Sequence, residues 1–390
     1  MASRSVLMLM GKSRLLNARV VSDNARLLST ASPGLTSAPT FPKRHGQTAT
    51  KDERREFMGM FPDIVRDLTG DPEKRNQDVE RWFHKVLQFN VPSGRKSRGL
   101  AAVASFRTLV PPEERSEERM RNALIVGWCV ELIHNVFVIQ DDIAKGRQVR
   151  RGRSSWHNMD HVGVKAINDA LMLENSMYFL LWKYLRNEPY YIKLVELFHQ
   201  VALKTSAGRT LDALTNKKDG TPNFEKFTMD RYMRLIRNKN AYYTFLLPMA
   251  AGMYAAGVQA PELHRQAKTV QLDIGEFYQI QDDFLDCFGE GVDIVKIGSD
   301  IEEGRISWLA VVFLQRAPPA LKEEFMKNYG KKEAESVAKV KGLYEELKLH
   351  QLFDAYEEQN YRRLYDEIQQ CSLGVPKGLM MTFLEKLFRG

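Results

Sequence analysis

The chain is 390 residues long, 44% apolar, with a net charge of +8, which is enough to fill a large core in one big domain or two smaller ones. Six of those eight charges lie in the first 50 residues, where Arg4, Lys12, Arg14, Arg19, Arg26, Lys43 and Arg44 face a single acid, Asp23; the near-neutral remainder excludes a general nucleic-acid backbone binder. Cys129, Cys287 and Cys371 are far apart and form no CxxC pair or Cys/His cluster, which excludes a disulfide framework or zinc site and fits a reducing compartment.

Residues 1–50 are rich in Arg and Ser, poor in acids, and place Leu, Val and Met at spacings of a basic amphipathic helix. They read as a mitochondrial transit peptide and linker, the linker marked by Pro33, Pro39 and Pro42. The apolar run VLMLM is too short for a secretory core or a membrane span.

From residue 51 to 390 helical periodicity dominates. ERWFHKVLQFNV, MRNALIVGWCVELIHNVFVIQ, INDALMLENSMYFLLWKYLR, YIKLVELFHQVALKTSAGRTLDALT, YTFLLPMAAGMYAAG and VQLDIGEFYQIQDDFLDCF follow in order, each with apolar residues three and four apart. Several are apolar nearly all round, as in the middle of a large bundle. Turn chemistry separates them at 90–94, 187–189, 217–222, 257–261, 289–291 and 317–319. The pattern predicts one all-α domain of about ten or more helices.

Two of these helices end in acid pairs. VFVIQDDIAKGRQVRRGRSSW (136–156) places Asp141 and Asp142 at the mouth of an apolar run and follows them with Lys145, Arg147, Arg150, Arg151 and Arg153. FYQIQDDFLDCFGEGVDIVKIGSD (277–300) puts Asp282 and Asp286 on one helix face with Asp283 beside them. Clustered carboxylates with no nitrogen or sulfur nearby suit magnesium, which takes one or two carboxylates and completes its shell with water and phosphate. Two such clusters with Arg150, Arg151, Lys239 and Lys296 around them form a clamp for an allylic diphosphate, whose ionisation needs cations on the leaving group and an apolar chamber for the carbocation. Arg147 and Arg153 read as a solvated loop face, and Trp128, Trp182, Tyr242, Tyr243, Phe245 and Phe277 as core.

The body resembles the trans-isoprenyl diphosphate synthases, above all those of animals that make farnesyl diphosphate. The stretches that carry this are SGRKSRGL, GWCVELIHNVFVIQDDI, VRRG, GVKAINDALMLE, GRTLDALT, KNAYYTFLLPMAAGMYAAG, GEFYQIQDDFLD and VKIGSDIEEGRISWL. The resemblance implies an isoprenoid synthase fold with a central cavity, a homodimer, no nucleic acid and no membrane span, and magnesium, about three ions per active site. Metal ligands would be Asp141, Asp142, Asp282, Asp283 and Asp286. Asp141, Asp142, Asp282, Lys239 and Lys296 would be catalytic. Substrate contacts would fall to Arg95, Arg98, His134, Arg150, Arg151, Arg209, Asp212, Lys239, Asn240, Gln279, Lys296 and Asp300.

The first motif departs from the family's DDxxD: DDIAK carries Lys145 where a third carboxylate is expected. Around the second substrate's site Arg95 replaces a lysine, Ser97 an asparagine and His134 a glutamine, and Arg209 replaces a glutamine beside the allylic site. These changes point to relaxed use of the second substrate. The expectation is therefore a terpene synthase of the insect type, cyclising farnesyl diphosphate over a floor in which Val136 leaves space beside Phe137. The alternative is chain elongation to geranyl or farnesyl diphosphate, supported by the retained Arg98, Arg151, Lys239 and Lys296. A third reading is a non-catalytic paralogue that binds an active partner.

Overall fold

The computed structural model describes residues 49–70, 76–289 and 298–388. Helices dominate, in the order α1 (Lys51–Gly59), α2 (Phe61–Thr69), α3 (Gln77–Asn90), α4 (Ser97–Leu109), α5 (Glu117–Ala144), α6 (Lys165–Leu185), α7 (Tyr191–Ala213), α8 (Met229–Ile236), a π-helical segment (Arg237–Leu246), α9 (Leu247–Ala255), α10 (Pro261–Phe288), α11 (Trp308–Arg316), α12 (Pro319–Asn328), α13 (Ala334–Glu346), α14 (Leu349–Gln370) and α15 (Lys377–Phe388). Among the described residues the strands are a two-residue pair, β1 (Val149–Arg150) and β2 (Arg153–Ser154).

Two helices organise the bundle. α5 starts at Ser116, whose hydroxyl accepts from Arg119 N, and is buried almost without interruption from Asn122 to Phe137 by α4, α6 and α9. It is apolar and long enough to cross a membrane, yet 94% of its most apolar window is buried, so its composition is that of a core helix. α10 is the second axis, packed by the π-helical segment, α9, α14 and α15. Each axis has its own apolar core. A small cluster of Ala241, Leu246, Ala250 and Leu272 lies on the segment and helices between them.

The π-helical segment is the seam. At its start Arg237 donates to Glu276 and, at 3.1 Å, to Asp273 on α10. Beyond that it is gripped by two glycines. A Cβ on Gly208 of α7 would lie 2.4 Å from Lys239 N, and one on Gly275 of α10 would lie 2.5 Å from the Ala241 Cβ. Any larger residue at either position forces the backbones apart. The helical expectation over 191–215, 243–257 and 270–288 holds, but nothing in the spacing marks 237–246 as a wider, π-helical turn. π-helical turns are rare and concentrate at functional sites.

Of the residues expected in the core, Trp128 and Phe277 are fully buried, but Trp182 is 47% exposed. It belongs to a stripe on the outer face of α6. Gly208→Ala and Gly275→Ala should each lower the free energy of unfolding by about 1–3 kcal/mol. Gly59→Ala, with open space around its Cβ, should leave it unchanged or slightly raised; urea midpoints of the three variants check this.

Candidate active site

α5 ends at Ala144, so Asp141 and Asp142 occupy its last turn. The chain then forms the β1–β2 hairpin, whose two turn residues, Arg151 (φ 52°) and Gly152 (φ 74°), both take left-handed backbone, the signature of a type I′ turn. The hairpin folds Arg150 back onto α5: its Nε donates to both Asp142 oxygens at 2.7 and 2.8 Å, and its Nη2 lies 3.4 Å from Asp141 Oδ2. Arg151 turns the other way and donates to Ser93 O at 2.9 Å.

Asp141 collects cations from four elements. Lys145 Nζ is 3.2 Å from Oδ1, Arg209 Nη1 3.6 Å and Lys239 Nζ 4.0 Å, while Arg150 and Arg147 approach Oδ2 at 3.4 and 4.0 Å. Burial alone would raise the carboxyl, but Lys145, Lys239 and Arg209 hold it well below the usual range. Lys145 is itself desolvated and faces Lys239 and Arg305, which push its ammonium down to about 7. Lys239 also donates to Asp212, whose carboxyl stays low despite burial because of that contact.

The second acidic cluster is built differently. Asp283 points into the interior, where Oδ2 accepts from Tyr232 Oη at 2.6 Å and Trp308 N at 2.9 Å, and Oδ1 from Gln279 Nε2 at 2.8 Å. These donors favour the ionised form, but burial and the neighbouring charge of Asp300 outweigh them and push the group up to about 8. Asp286 Oδ2 accepts from Ser299 N and Asp300 N, both at 2.9 Å, and Asp300 in turn accepts from Arg305 at 2.7 Å. Asp282 is half-buried, with Gln279 Nε2 3.3 Å from its Oδ2.

The π-helical segment joins the two clusters, because its consecutive residues Lys239 and Asn240 face opposite ways: Lys239 to Asp141 and Asp212, Asn240 to Gln279 and so to Asp282. Three residues later Tyr243 forms a wall. Its ring meets Phe137 edge-on at 5.1 Å, Arg98 lies over Tyr243 at 4.9 Å, and Arg209 lies over Phe137 at 5.3 Å. Arg98 also donates to Thr244 Oγ1 at 3.0 Å. His134 stacks with Tyr243 at 5.9 Å; burial and the charges of Arg98 and Arg151 keep its imidazole well below its ordinary value, hence neutral. Arg95 is exposed in the loop before α4, and its charge reaches Tyr278 along with those of Asp282 and Arg98.

The structure thus brings most of the expected residues together, but Arg95 stays exposed in its loop and Arg151 turns to Ser93; Lys296 lies outside the described residues. Arg147 and Arg305 enter the site unannounced. Arg147, expected on a solvated loop, reaches Asp141, and Arg153 covers the Phe89 ring at 5.0 Å. Arg305 pairs with Asp300 and Glu303 and acts on both Lys145 and Asp212. Its only sequence signal is a position five residues after Asp300. Among the described residues no three acidic, His or Cys groups converge as a metal cage.

Residues 80–347 match the polyprenyl synthetase family. The chain belongs to that family. It is 44% identical to the farnesyl pyrophosphate synthase of Murgantia histrionica over 88% of this chain and 83% of that one, and 43% identical to the Gallus gallus farnesyl pyrophosphate synthase over 86% and 92%. The fold matches T. brucei farnesyl diphosphate synthase complexed with homorisedronate, with a TM-score of 0.81 at 28% identity over 86% of this chain and 99% of that one. These findings make the polyprenyl synthetase an enzyme of the prenyltransferase type and overturn the expectation of a terpene synthase, a diphosphate lyase. That expectation treated the substitutions near the second substrate's site as losses. Arg95 keeps the charge of a lysine, Arg98 and Arg151 retain theirs, and Arg209 adds one, so the changes alter donor shape without emptying the region of cations.

Asp283 supplies a pH test. A carboxyl whose folded pKa lies above its unfolded value of about 4 contributes stability at low pH that is lost as pH rises toward the folded value, here about 8. The melting temperature of wild type minus that of Asp283→Asn should therefore fall as pH is raised from about 4 to 8 and level off above it. A difference that rises over that range would contradict the assignment.

Proposed function

We propose that the protein is a farnesyl diphosphate synthase-like prenyltransferase that joins isopentenyl diphosphate to an allylic diphosphate. The observation that carries this is the aromatic pair Tyr243–Phe137 with a guanidinium on each side, Arg98 over one ring and Arg209 over the other. Two cationic regions flanking one apolar wall suit two diphosphate substrates whose hydrocarbon ends meet, where a cyclase needs one.

On this reading Lys239, Arg209 and Arg150 hold the allylic diphosphate as its C1–O bond breaks and the electron pair leaves with the diphosphate. Arg95, Arg98 and Arg151 hold isopentenyl diphosphate, whose terminal double bond attacks C1; loss of a proton from its C2 then sets the new double bond. The Tyr243 and Phe137 rings border the developing allylic cation, and aromatic faces stabilise such charge by about 0.5–2 kcal/mol each. His134, neutral and buried, packs against Tyr243 without adding a like charge. Magnesium, when bound, neutralises charge on the leaving diphosphate. Asp282 and Asp286 supply the all-oxygen donor set that suits such an ion when phosphate and water complete its shell, whereas Asp283 is turned to the interior and Asp141 is surrounded by cations.

Purified protein given magnesium, labelled isopentenyl diphosphate and dimethylallyl or geranyl diphosphate should form the fifteen-carbon diphosphate. A product that stops at ten carbons would overturn the farnesyl assignment, and no incorporation of label would overturn the condensation itself. Arg98→Gln should raise KM for isopentenyl diphosphate by about tenfold or more, the effect of losing a charge-assisted hydrogen bond.

A homodimer is supported by an apolar stripe across α6 and α7, where Ile167 (54% exposed), Leu171, Trp182, Ile192 and Leu203 (71%) face outward. Light scattering should give twice the 44.9 kDa chain mass, and Leu203→Glu with Trp182→Glu should halve it. The basic, acid-poor residues 1–50 support a mitochondrial address, which a fluorescent fusion of that segment tests.

A further inference from the structure

The Asp141 end of α5 does not fit a magnesium site. A magnesium ion sits about 2 Å from its carboxylate oxygens, and both Asp141 oxygens already face ammonium or guanidinium groups: Lys145 at 3.2 Å and Arg209 at 3.6 Å on Oδ1, Arg150 at 3.4 Å on Oδ2. Asp142 is buried and held by Arg150 through both oxygens. A divalent ion brought there would meet Lys145, Arg147, Arg150, Arg209 and Lys239 at repulsive range. The four cations Arg147, Arg150, Arg209 and Lys239 face only three carboxylates, Asp141, Asp142 and Asp212, and thus leave an excess of one positive charge, to which Lys145 adds a second when protonated. Arg147 Nε and Arg209 Nε are moreover buried donors that find no hydrogen-bond acceptor among the described residues, an arrangement that costs free energy unless an acceptor arrives.

We infer that this half of the clamp binds the substrate's diphosphate directly, through Lys145, Arg147, Arg150, Arg209 and Lys239, and does so without a metal ion. Lys145, protonated beside a bound anion, stands where a metal's charge would be, and Asp141 is a positioning residue that holds the cations at a common focus. Three guanidinium groups and two ammonium groups match the many acceptors of a diphosphate, and guanidinium forks pair with phosphate oxygens bidentately. The inference rests on the condensation reading only for which diphosphate occupies the site. It leaves a metal requirement with Asp282 and Asp286 alone.

The test is calorimetric titration of the full-length protein with inorganic pyrophosphate in buffer containing EDTA. Wild type should bind saturably without divalent cations, more weakly as salt rises. Lys145→Asp should weaken metal-free binding by about tenfold or more and recover affinity when magnesium is added. Because Lys145→Asp risks misfolding, Arg209→Gln and Lys145→Gln, each checked by circular dichroism, should give smaller losses of about three- to tenfold.

Wild type that binds pyrophosphate only with magnesium present would overturn the inference, while label incorporation in the condensation assay would leave the functional reading standing. Equal affinity for sulfate would overturn the assignment to a diphosphate. Metal-free affinity unchanged in Lys145→Asp would remove Lys145 from the site and overturn the inference likewise.

Discussion

Two backbones pressed against the π-helical segment from opposite sides set the geometry of everything else. Gly208 on α7 and Gly275 on α10 approach it so closely that no side chain fits at either position. On that segment Lys239 and Asn240 contact different walls, one the cation cluster at Asp141 and the other the amide that orients Asp282. In a regular α-helix consecutive side chains diverge by about 100°, and the extra residue per turn of a π-helix shifts the face that each one presents. The segment thus converts a packing constraint into the spacing between two charged clusters that belong to separate hydrophobic cores.

The two acidic clusters achieve electrical balance by different means. At α5 the carboxylates are ionised and outnumbered, with positive charge arriving from the hairpin, α7 and the π-helical segment. At α10 the balance comes from hydrogen bonds: a tyrosine, an amide and two stretches of backbone N–H are consumed by Asp283 and Asp286. Pairs of Asp residues that look alike in one dimension are therefore chemically distinct. One gathers cations around two carboxylates, and the other satisfies its carboxylates with hydrogen bonds.

Much of this was legible in the sequence. The long apolar runs through Val136 and Phe277 announced two buried helices, and the recurring QDD marked where each turns polar. Lys145 was visible as a reversal of charge. Its consequence was not, because only the folded chain gathers Arg209 and Lys239 from distant positions, and Arg147 from the hairpin, onto the same carboxylate. Arg147 looked like loop solvent-facing charge since local sequence holds no record of which way a hairpin folds back. Reading the substitutions as decay failed for a related reason: type-by-type comparison registers a changed donor but not whether the summed field survives. The close approaches at Gly208 and Gly275 were equally silent, since a glycine inside a helical pattern carries no mark of what it touches.

The β1–β2 hairpin joins neighbouring guanidinium groups with different allegiances. Arg150 belongs to the carboxylates at the end of α5, and Arg151 reaches the loop at Ser93 that leads into Arg95 and Arg98. Because both sit on one tight turn with left-handed backbone, neither can swing far without dragging the other. This small ribbon therefore ties the carboxylates at the end of α5 to the Ser93 loop and holds the two in a common register.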